Sequence, residues 1–528
     1  MNAVIQLRSN NLYQSSQYYR FSTLFIYFQL YLYEKRNAHE RREIMVANLL
    51  TIGFFTIIIL NIVLAIALIF LERRDASSTW AWLMVLFFIP IFGFLVYLLL
   101  GRQLRKKHLF RWEGRSKIGI DNLIEYQIAA IDAGTFEFRL DDALDYKDMI
   151  YMQLRNNHAV LTQDNAVTIF NDGKKKFSAL LEDLEHAKDH IHIQYYIFRL
   201  DGLGTRIYDV LLRKAKQGIK VRLLFDDMGS RSLRKRHFKK LIDLGGEVEA
   251  FFPSIMPLVN PRLNYRNHRK IVVIDGRVGY IGGFNVGDEY LGLNRKFGYW
   301  RDTHLRLEGS ALHPLQTRFI LDWNQASRDQ DIEYSDRYFP AIPMKGSVGL
   351  QIVSSGPDSE WEQIKNGYLK LITMAKKYIY IQSPYFIPDA SFMDSLRIAC
   401  LSGIDVRIMI PNKPDHMFVY WATYSYVGQL IKAGAKVFIY ENGFLHTKMI
   451  VVDDEASTVG TANIDVRSFK LNFEVNAFIY DRETSHQLAE LFEQDMLLST
   501  ELTWELYEKR NRFIKAKESV SRLLSPIL

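Results

Sequence analysis

The globular part of this chain contains the same series of segments twice. Short runs of β-branched and aromatic residues alternate with helical stretches, which indicates an α/β fold. Three of these runs recur in the same order, at offsets of 188, 185 and 189 residues. They are Ile191–Ile197 with Ile379–Tyr385, Gly218–Leu224 with Gly403–Met409, and Leu241–Val248 with Leu430–Val437. The sequence therefore predicts one α/β unit present in two copies.

A fourth repeated segment carries the candidate chemistry. Residues 268–275 and 446–453 both read His-x-Lys, then four residues, then Asp, and each copy continues to an Asn. Alternate residues of a strand share a face, so His268 and Lys270 point the same way and Asp275 comes at the far end of the strand. An imidazole titrates near neutral pH, which suits it to catalysis. The candidate residues are His268, Lys270, Asp275, Asn285, His446, Lys448, Asp453 and Asn463.

Two apolar segments precede the repeat. Residues 44–71 and 76–100 are uncharged over 28 and 25 residues. A membrane-spanning helix needs about 20 apolar residues, so each segment is long enough to cross a bilayer. Only the short polar segment 72–75 separates them. We therefore predict a transmembrane helical hairpin.

Residues 1–43 form an N-terminal extension for which two interpretations are open. Phe21–Tyr33 is apolar, but its 13 residues are too few to span a bilayer. The extension either lies on the membrane surface or precedes a native start at Met45, at the beginning of the first apolar segment.

The positive charge of the chain is concentrated around the apolar segments. The whole chain carries a formal charge of +8, of which the first 117 residues carry +9 and the remainder −1. The basic residues outside the hairpin place both of its ends in the cytoplasm. A nucleic-acid enzyme would carry the excess on its catalytic part, so no nucleic-acid partner is expected. The single cysteine, Cys400, excludes an intramolecular disulfide and a Cys-rich metal site.

The paired motifs resemble the HKD signatures of the phospholipase D superfamily. The resemblance covers about residues 160–510. The order of two apolar segments followed by two HKD halves is similar to that of bacterial cardiolipin synthases. Segments typical of that family are Trp80–Trp82, Gly101–Gln103, Asn267–Lys270 and Asn472–Asn476.

The resemblance implies an α/β fold of two tandem phospholipase D-type αβα domains, related by pseudo-twofold symmetry and preceded by the transmembrane helical hairpin. One active site would lie between the two domains. The predicted boundaries are 1–43 for the N-terminal extension, 44–71 and 76–100 for the transmembrane helices, 101–159 for a basic juxtamembrane and connecting segment, 160–339 for the first domain, 340–358 for a linker, 359–510 for the second domain, and 511–528 for a basic amphipathic segment.

The resemblance also implies how the motif residues act. His268 would attack phosphorus to form a phosphohistidine, and His446 would act as the acid and base. Lys270 and Lys448 would neutralise the non-bridging oxygens of the phosphate. No metal or other cofactor is expected.

The remaining candidates have weaker assignments. Asp275 and Asp453 would orient or acidify an imidazole, as a triad carboxylate does, or would instead cap a turn. Asn285 and Asn463 would donate hydrogen bonds to the substrate. Glu474, after the second motif, is expected to bind substrate or support the site, and a solvent-facing strand position is the alternative.

The substrate is inferred from the resemblance and the predicted hairpin. The expected reaction transfers a phosphatidyl group between two phosphatidylglycerol molecules and yields cardiolipin and glycerol. The partners would be phosphatidylglycerol and other membrane phospholipids, and the enzyme would be a multi-pass protein of the cell membrane with its catalytic domains on the cytoplasmic side. A membrane-anchored phospholipase D that uses water is the main alternative; a nuclease and a non-enzymatic lipid-binding scaffold fit the sequence less well.

Two further segments have alternative interpretations. The apolar, proline-broken stretch Phe251–Leu263 either dips into lipid beside the site or forms an ordinary packed loop. The basic C-terminal segment 511–528 either lies on anionic lipid as an amphipathic helix or packs on the second half.

Overall fold

A computed structural model describes residues 2–70, 76–89, 92–93, 96–97, 117–253, 264–327, 329–413, 415 and 417–524. The chain divides into two compact units, Met1–Gly101 and Arg102–Leu528. Each unit is described by itself below.

The N-terminal unit is dominated by one long helix, α1 (Asn2–Phe70). Within the described residues of the chain, it contains one stretch long and apolar enough to cross a membrane, Ile26–Ala67. The predicted boundary at residue 44 is not a helix end. The charged residues before it support the helix instead, because Arg36 pairs with Glu40 four residues later.

The second predicted transmembrane segment begins with α2 (Ala76–Phe88). This helix packs on α1, where the buried Asn61 donates through Nδ2 to Leu86 O over 3.4 Å. The predicted turn at 72–75 and the basic segment 101–116 lie outside the described residues, as does most of the second segment beyond Ile89.

We call the second unit, Arg102–Leu528, the catalytic unit because it carries both repeated motifs. It begins with three helices that cover the second half of the repeat. They are α3 (Ile120–Asp132), α4 (Asp141–Asp145) and α5 (Lys147–Asn157). Their apolar faces, including Ile124 and Met149, share a core with Ile381 and Ile408 of the second half. The described part of the predicted connecting segment is therefore a helical layer of the catalytic unit.

The first half of the repeat contains eight strands and four α-helices within the described residues. In chain order they are β1 (Thr162–Asp172), α6 (Gly173–Glu185), β2 (His190–Tyr195), α7 (Gly202–Lys216), β3 (Lys220–Asp226), α8 (Lys239–Asp243), β4 (Glu247–Phe251), β5 (Arg266–Asn267), β6 (Ile271–Ile274), β7 (Val278–Gly282), β8 (Trp300–Glu308) and α9 (Leu312–Ala326).

The second half follows the same plan and adds elements at its end. In chain order they are β9 (Val348–Ser355), α10 (Gln363–Met374), β10 (Tyr378–Gln382), β11 (Phe386–Ile387), α11 (Ala390–Leu401), β12 (Asp405–Pro411), α12 (Met417–Ala433), β13 (Lys436–Tyr440), β14 (Phe444–Leu445), β15 (Met449–Val452), β16 (Ala456–Gly460), β17 (Ile464–Asp465), α13 (Val466–Lys470), β18 (Asn472–Tyr480), α14 (Arg482–Met496), β19 (Ser499–Glu501), α15 (Trp504–Glu508) and α16 (Arg512–Leu524). Strand β9 falls inside the predicted linker, so this stretch is part of the second sheet.

The two halves have the same sheet topology. The first sheet has the strand order β4–β3–β2–β6–β7–β8–β1, and the second has the order β13–β12–β10–β15–β16–β18–β9. In both, the first three strands are parallel and the others antiparallel. The fold is thus a mixed α/β structure of two tandem repeats, as the internal duplication predicted.

Short strands cross between the two halves and position the site. Strand β5 of the first half pairs with β18 of the second, and β14 of the second half pairs with β8 of the first. The motif strands β6 and β15 that follow are fully buried in the centre of their sheets. The residues between each short strand and the motif strand therefore lie at the junction of the halves.

Candidate active site

The two predicted histidines lie where the halves exchange strands. The His268 N–H donates to Phe473 O of β18 over 2.9 Å, and the His446 N–H donates to Arg301 O of β8 over 2.7 Å. Each histidine is therefore anchored through its own backbone to the opposite half.

Each imidazole also takes its carboxylate from the opposite half. Glu474 Oε2 lies 2.9 Å from His268 Nδ1. Asp302 Oδ2 lies 2.6 Å from His446 Nδ1. A carboxylate at Nδ1 fixes the orientation of the ring and holds a proton on that nitrogen, which leaves Nε2 for chemistry.

The two motif lysines are buried beside the imidazoles. Lys270 Nζ donates to His268 O over 2.6 Å, and Lys448 Nζ lies 2.9 Å from His446 Nδ1 and also donates to His446 O. Burial lowers the pKa of Lys270 to about 7, although Glu474 opposes the shift. Burial likewise lowers the pKa of Lys448 to about 8.

Burial and the lysines together lower the pKa of both imidazoles. For His446, burial and then the charge of Lys448 lower the pKa to about 4. For His268, burial lowers the pKa, Lys270 and Lys448 add to the shift, and Glu474 opposes it. Lys448 acts on His268 and Lys270 acts on His446, so the two clusters share one electrostatic environment. A phosphodiester held there would add negative charge and raise the pKa of both rings.

The two carboxylates stay ionised although they are buried. Burial alone would raise the pKa of Glu474, but His268 and Lys270 outweigh it and lower the pKa. For Asp302, Lys448 and His446 outweigh burial in the same way and lower its pKa. The site therefore pairs two acids with two lysines, and can accept one further negative charge as its imidazoles protonate.

The aspartates of the two motifs do not contact these imidazoles. Asp275 accepts hydrogen bonds from three backbone N–H groups, those of Lys188, Asp189 and His190, over 2.8 to 2.9 Å. Asp453 accepts from the equivalent groups at residues 376–378 over 2.6 to 2.9 Å. The predicted imidazole-orienting role is therefore wrong, because the motif strand carries each aspartate some seven residues, or about 20 Å, away from its histidine. The turn-capping alternative describes both residues.

The two predicted asparagines differ in their surroundings. Asn285 Oδ1 accepts from the Ile197 N–H over 3.0 Å, and the Asn285 side chain also hydrogen bonds Tyr290. These contacts hold the chain after β2, and the expected hydrogen bond from Asn285 to substrate stays a prediction. Asn463 is buried and hydrogen bonds Asp465, whose pKa this bond helps to restrain against the effect of burial.

Glu474 was expected as a substrate-binding or supporting residue, and the structure gives it the supporting position. Thr461 Oγ1 donates to Glu474 Oε2 over 2.6 Å, and Asn472 Nδ2 donates to Oε1 over 3.1 Å. The ring of Tyr196 packs against His268 with the ring centroids 4.8 Å apart. The carboxylate and the ring together leave the His268 imidazole little freedom to rotate.

A second layer of buried ion pairs holds the carboxylate-bearing strands. Arg269 donates to Glu474 O over 3.0 Å and to Asp322 of α9 over 2.6 Å. Arg301 donates to the backbone O of Asp302 over 2.8 Å and to Asp495 of α14 over 2.8 Å. Gln194 and Gln382, equivalent positions of the repeat, donate to Asp322 and Asp495 respectively. Arg269 and Arg301 both belong to the first half. Arg269 joins the strand that carries Glu474 to the first half, and Arg301 joins the strand that carries Asp302 to the second half.

The sequence analysis missed Asp302, Thr461 and Tyr196. Asp302 follows Asn285 by 17 residues, whereas Glu474 follows Asn463 by 11. This unequal spacing hid the equivalence, which becomes visible once β8 is matched to β18. Alignment of the two strands was the one signal available in the sequence.

Within the residues that the structure describes, no cluster of three or more His, Cys, Asp or Glu side chains is arranged to hold a metal ion. The positive charge available to a phosphate here comes from Lys270 and Lys448.

Comparison with known proteins agrees with the geometry. Residues 180–304 and 368–496 match the family model described as cardiolipin synthase, PLD-like domain. Residues 59–102 match the model described as Phospholipase_D-nuclease N-terminal.

Two relatives are similar over nearly their whole length. The major cardiolipin synthase ClsA of Bacillus subtilis strain 168 is 63% identical over 470 residues, which are 89% of this chain and 98% of that protein. A cardiolipin synthase of Oceanobacillus iheyensis is 58% identical over 470 residues, again 89% of this chain and 98% of that protein.

A solved structure shares the fold. The phosphatidylserine synthase of Haemophilus influenzae Rd KW20 matches with a TM-score of 0.55 and 15% sequence identity, and the match covers 74% of this chain and 100% of that chain. At this level of identity, the likeness supports the architecture alone.

Proposed function

The chain belongs to the cardiolipin synthase family of the phospholipase D superfamily, and we propose that its two histidine–lysine clusters form one phosphatidyltransferase site. The reaction transfers a phosphatidyl group from one phosphatidylglycerol to the hydroxyl of another and yields cardiolipin and glycerol. The observation that carries the proposal is the reciprocal exchange of carboxylates, His268 with Glu474 and His446 with Asp302. Neither half could assemble such a site alone.

In the first step, the phosphodiester of phosphatidylglycerol lies between the two imidazoles. His268 Nε2 attacks phosphorus, the bond from phosphorus to the glycerol oxygen breaks, and His446 Nε2–H gives its proton to that oxygen. Glycerol leaves, and a phosphatidyl group remains on His268. Lys270 and Lys448 balance the negative charge that builds on the non-bridging oxygens.

In the second step, the incoming phosphatidylglycerol supplies the hydroxyl. His446 takes the proton from this hydroxyl, whose oxygen attacks phosphorus, and the bond from phosphorus to His268 breaks. Cardiolipin leaves, and both imidazoles return to their starting state. The bound phosphodiester raises the pKa of His446 above its value of about 4 in the substrate-free site, so the ring can carry the proton of the first step and take one back in the second.

Glu474 and Asp302 act by positioning. Each holds the Nδ1 proton of its imidazole and stabilises the ring when it becomes positively charged. Burial of both acid–imidazole pairs keeps these attractions strong, because little water screens them. Burial also favours a lipid alcohol over water as the acceptor.

Product analysis tests the function. Purified full-length protein is added to phosphatidylglycerol vesicles, with and without a chelator. Cardiolipin and glycerol are expected under both conditions. Phosphatidic acid and glycerol would identify a hydrolase, and a strict metal requirement would contradict the proposed chemistry.

A covalent trap tests the assignment of the two histidines. A phosphatidyl ester with a nitrophenol leaving group needs no proton from His446. With this substrate, His446→Ala should form a stable phosphatidyl-protein and release nitrophenol in a burst, whereas His268→Ala should form neither. The opposite pattern would exchange the roles, and a burst from both variants would refute a single nucleophile.

The membrane arrangement is a proposal at a finer level. The protein is membrane-associated, and α1 contains a stretch able to cross a bilayer. We propose two spans, from the apolar segments 44–71 and 76–100, with the catalytic unit on the cytoplasmic side. The basic residues that flank the pair of segments support this orientation.

A further inference from the structure

The last helix that the structure describes, α16, turns apolar side chains outward. In α16, Glu518 and Ser521 are buried, and Glu518 pairs with Arg510. The opposite face carries Phe513, Val520 and Leu523, which are 68%, 54% and 73% exposed. Residues seven apart lie on one face of a helix, so Phe513 and Val520 form a continuous apolar stripe. Because this helix buries an ion pair and exposes aromatic and aliphatic residues, we expect its exposed face to bind a second apolar surface.

Helix α12 extends this apolar face. Met417 and Phe418, at its first turn, are each 51% exposed. Phe418 packs edge-to-face on Trp421 with the ring centroids 6.0 Å apart. Lys517 of α16 joins the two helices, because its Nζ lies 4.7 Å from the ring centroid of Trp421 and 4.4 Å from that of Phe513. We call this surface the aromatic face; its members are Met417, Phe418, Trp421, Phe513, Lys517, Val520 and Leu523.

The start of α12 follows closely on a residue that acts on the candidate active site. Asp415, two residues before α12, accepts a hydrogen bond from Tyr385 Oη. The charge of Asp415 acts on Lys448 and raises its pKa against the effect of burial. The chain therefore passes from the electrostatic environment of the site to the exposed Met417 and Phe418 within three residues.

We propose that the aromatic face docks the catalytic unit onto a bilayer that contains anionic phospholipid. Amphipathic aromatic residues and lysines that lie over them favour the headgroup region of a membrane. Lys413, Lys509 and Arg512 are exposed and lie within four residues of Met417 or Phe513 in the chain, and their positive charge complements anionic headgroups. The proposal rests on the proposed function, since phosphatidylglycerol is an anionic lipid that must reach the site from a bilayer.

A second copy of the chain fits the aromatic face less well than a bilayer does. A twofold contact through the aromatic face would bring Lys517 and its neighbouring cations of one copy close to the same cations of the other. Like charges brought together in this way oppose association. Docking on lipid removes that repulsion and buries the same apolar side chains.

Site-specific fluorescence tests the proposal. The background is Cys400→Ser, which removes the single native cysteine. Single cysteines replace Leu523 in the aromatic face or Leu401 at the C-terminal end of α11; their exposures are matched at 73% and 72%. Leu401 precedes β12 and Asp415 follows it, so the control lies at the opposite end of that strand. Each full-length protein is labelled with an environment-sensitive fluorophore and reconstituted into phosphatidylglycerol–phosphatidylcholine vesicles that include a lipid quencher.

We expect the label at residue 523 to shift to the blue and to be quenched, and the label at residue 401 to keep its aqueous emission. Equal emission from the two labels would overturn the proposal. A shift at 523 that persists in detergent and grows with protein concentration would also overturn it, in favour of a contact between copies.

The measurement separates this proposal from the proposed function. The labels are read in the His268→Ala background, where no turnover is expected. The fluorescence therefore reports docking independently of the reaction that the enzyme catalyses.

As a second measurement, Phe513→Ser should lower turnover in vesicles about tenfold, the order expected from loss of one buried aromatic side chain. Leu401→Ser is the matched control and should retain the wild-type rate; equal rates for both variants would contradict docking.

Discussion

At the scale of single residues, the environment of each imidazole explains its chemistry. His268 and His446 carry the same motif, but the contacts that tune them come from residues 206 and 144 positions away in the chain. Acid, imidazole and lysine are all buried, so small changes in one group alter the charge state of the others.

The carboxylates at Nδ1 should control the rate without binding substrate. We expect Glu474→Gln and Asp302→Asn to lower kcat by about 10³- to 10⁴-fold, because an amide cannot stabilise the charged imidazole or hold the correct tautomer. The measurement is cardiolipin formation in vesicles with folding checked by thermal denaturation. A loss of less than tenfold in a folded variant would contradict the positioning role.

The lysines should set the alkaline limit of activity. A substrate-free site loses its positive charge as pH rises through the pKa values of Lys270, about 7, and Lys448, about 8. Since kcat/KM reports the free enzyme, it should fall over this range.

On the acid side, the pKa of His268 lies below its ordinary 6.5, so protonation of this nucleophile should reduce kcat/KM only below that pH. A kcat/KM that stays constant up to pH 10 would show that the lysines remain charged or are not required.

At the scale of elements, the motif strand connects two different tasks. Its first end presents histidine and lysine to the site, and its last end fastens the sheet to the N–H groups that open β2 or β10. Asp275 and Asp453 have φ values of 55° and 56°, in the left-handed region where asparagine is also tolerated. An Asp→Asn change therefore removes charge and one acceptor while it leaves the backbone conformation accessible.

This division of tasks gives a matched comparison. Asp453→Asn should destabilise the protein by about 1–3 kcal/mol, since charged hydrogen bonds to buried N–H groups are weakened. Its specific activity well below the melting temperature should stay within about twofold of wild type, because the predicted effect is on stability alone. The measurements are Tm and initial rate on the same preparation. Loss of activity without a decrease in Tm would show that Asp453 contributes to catalysis.

Much of the architecture could be predicted from local patterns. The repeat of strand-forming segments indicated two α/β halves, and the two-residue spacing of His268 and Lys270 correctly placed them next to one another. Asp275 was given an imidazole-orienting role by analogy with a triad carboxylate, although the strand pattern already placed it at the far end of the strand from His268. Asp302 and the role of Glu474 depend on contacts between halves, for which neighbouring residues give no signal. The uncharged segment that begins at residue 44 suggested a boundary, whereas helix α1 continues through it with paired charges.

At the scale of the whole molecule, the catalytic unit is a fusion of two equivalent parts that complete one another. The short exchanged strands β5 and β14 are only two residues long, yet they bring His268 to Glu474 and His446 to Asp302. The N-terminal unit adds a helix able to cross a bilayer, and the substrate is itself a component of a bilayer.

The proposed orientation can be tested in intact cells. With Cys400→Ser as background, Trp361→Cys places a thiol at an exposed position of the catalytic unit. A membrane-impermeant maleimide should label it only after permeabilisation, since the proposed orientation, inferred from the basic flanks, places the catalytic unit in the cytoplasm. Labelling of intact cells would reverse the proposed orientation.

The exchange of carboxylates also constrains how such a protein can evolve. A gene that arose by duplication usually leaves one copy free to decay, but here damage to either repeat disables an imidazole in the other. Two identical subunits in place of the two repeats would make every mutation appear twice in the same pocket. Fusion into one polypeptide lets the paired positions diverge, as Glu474 and Asp302 have done, while it removes any route back to independent copies.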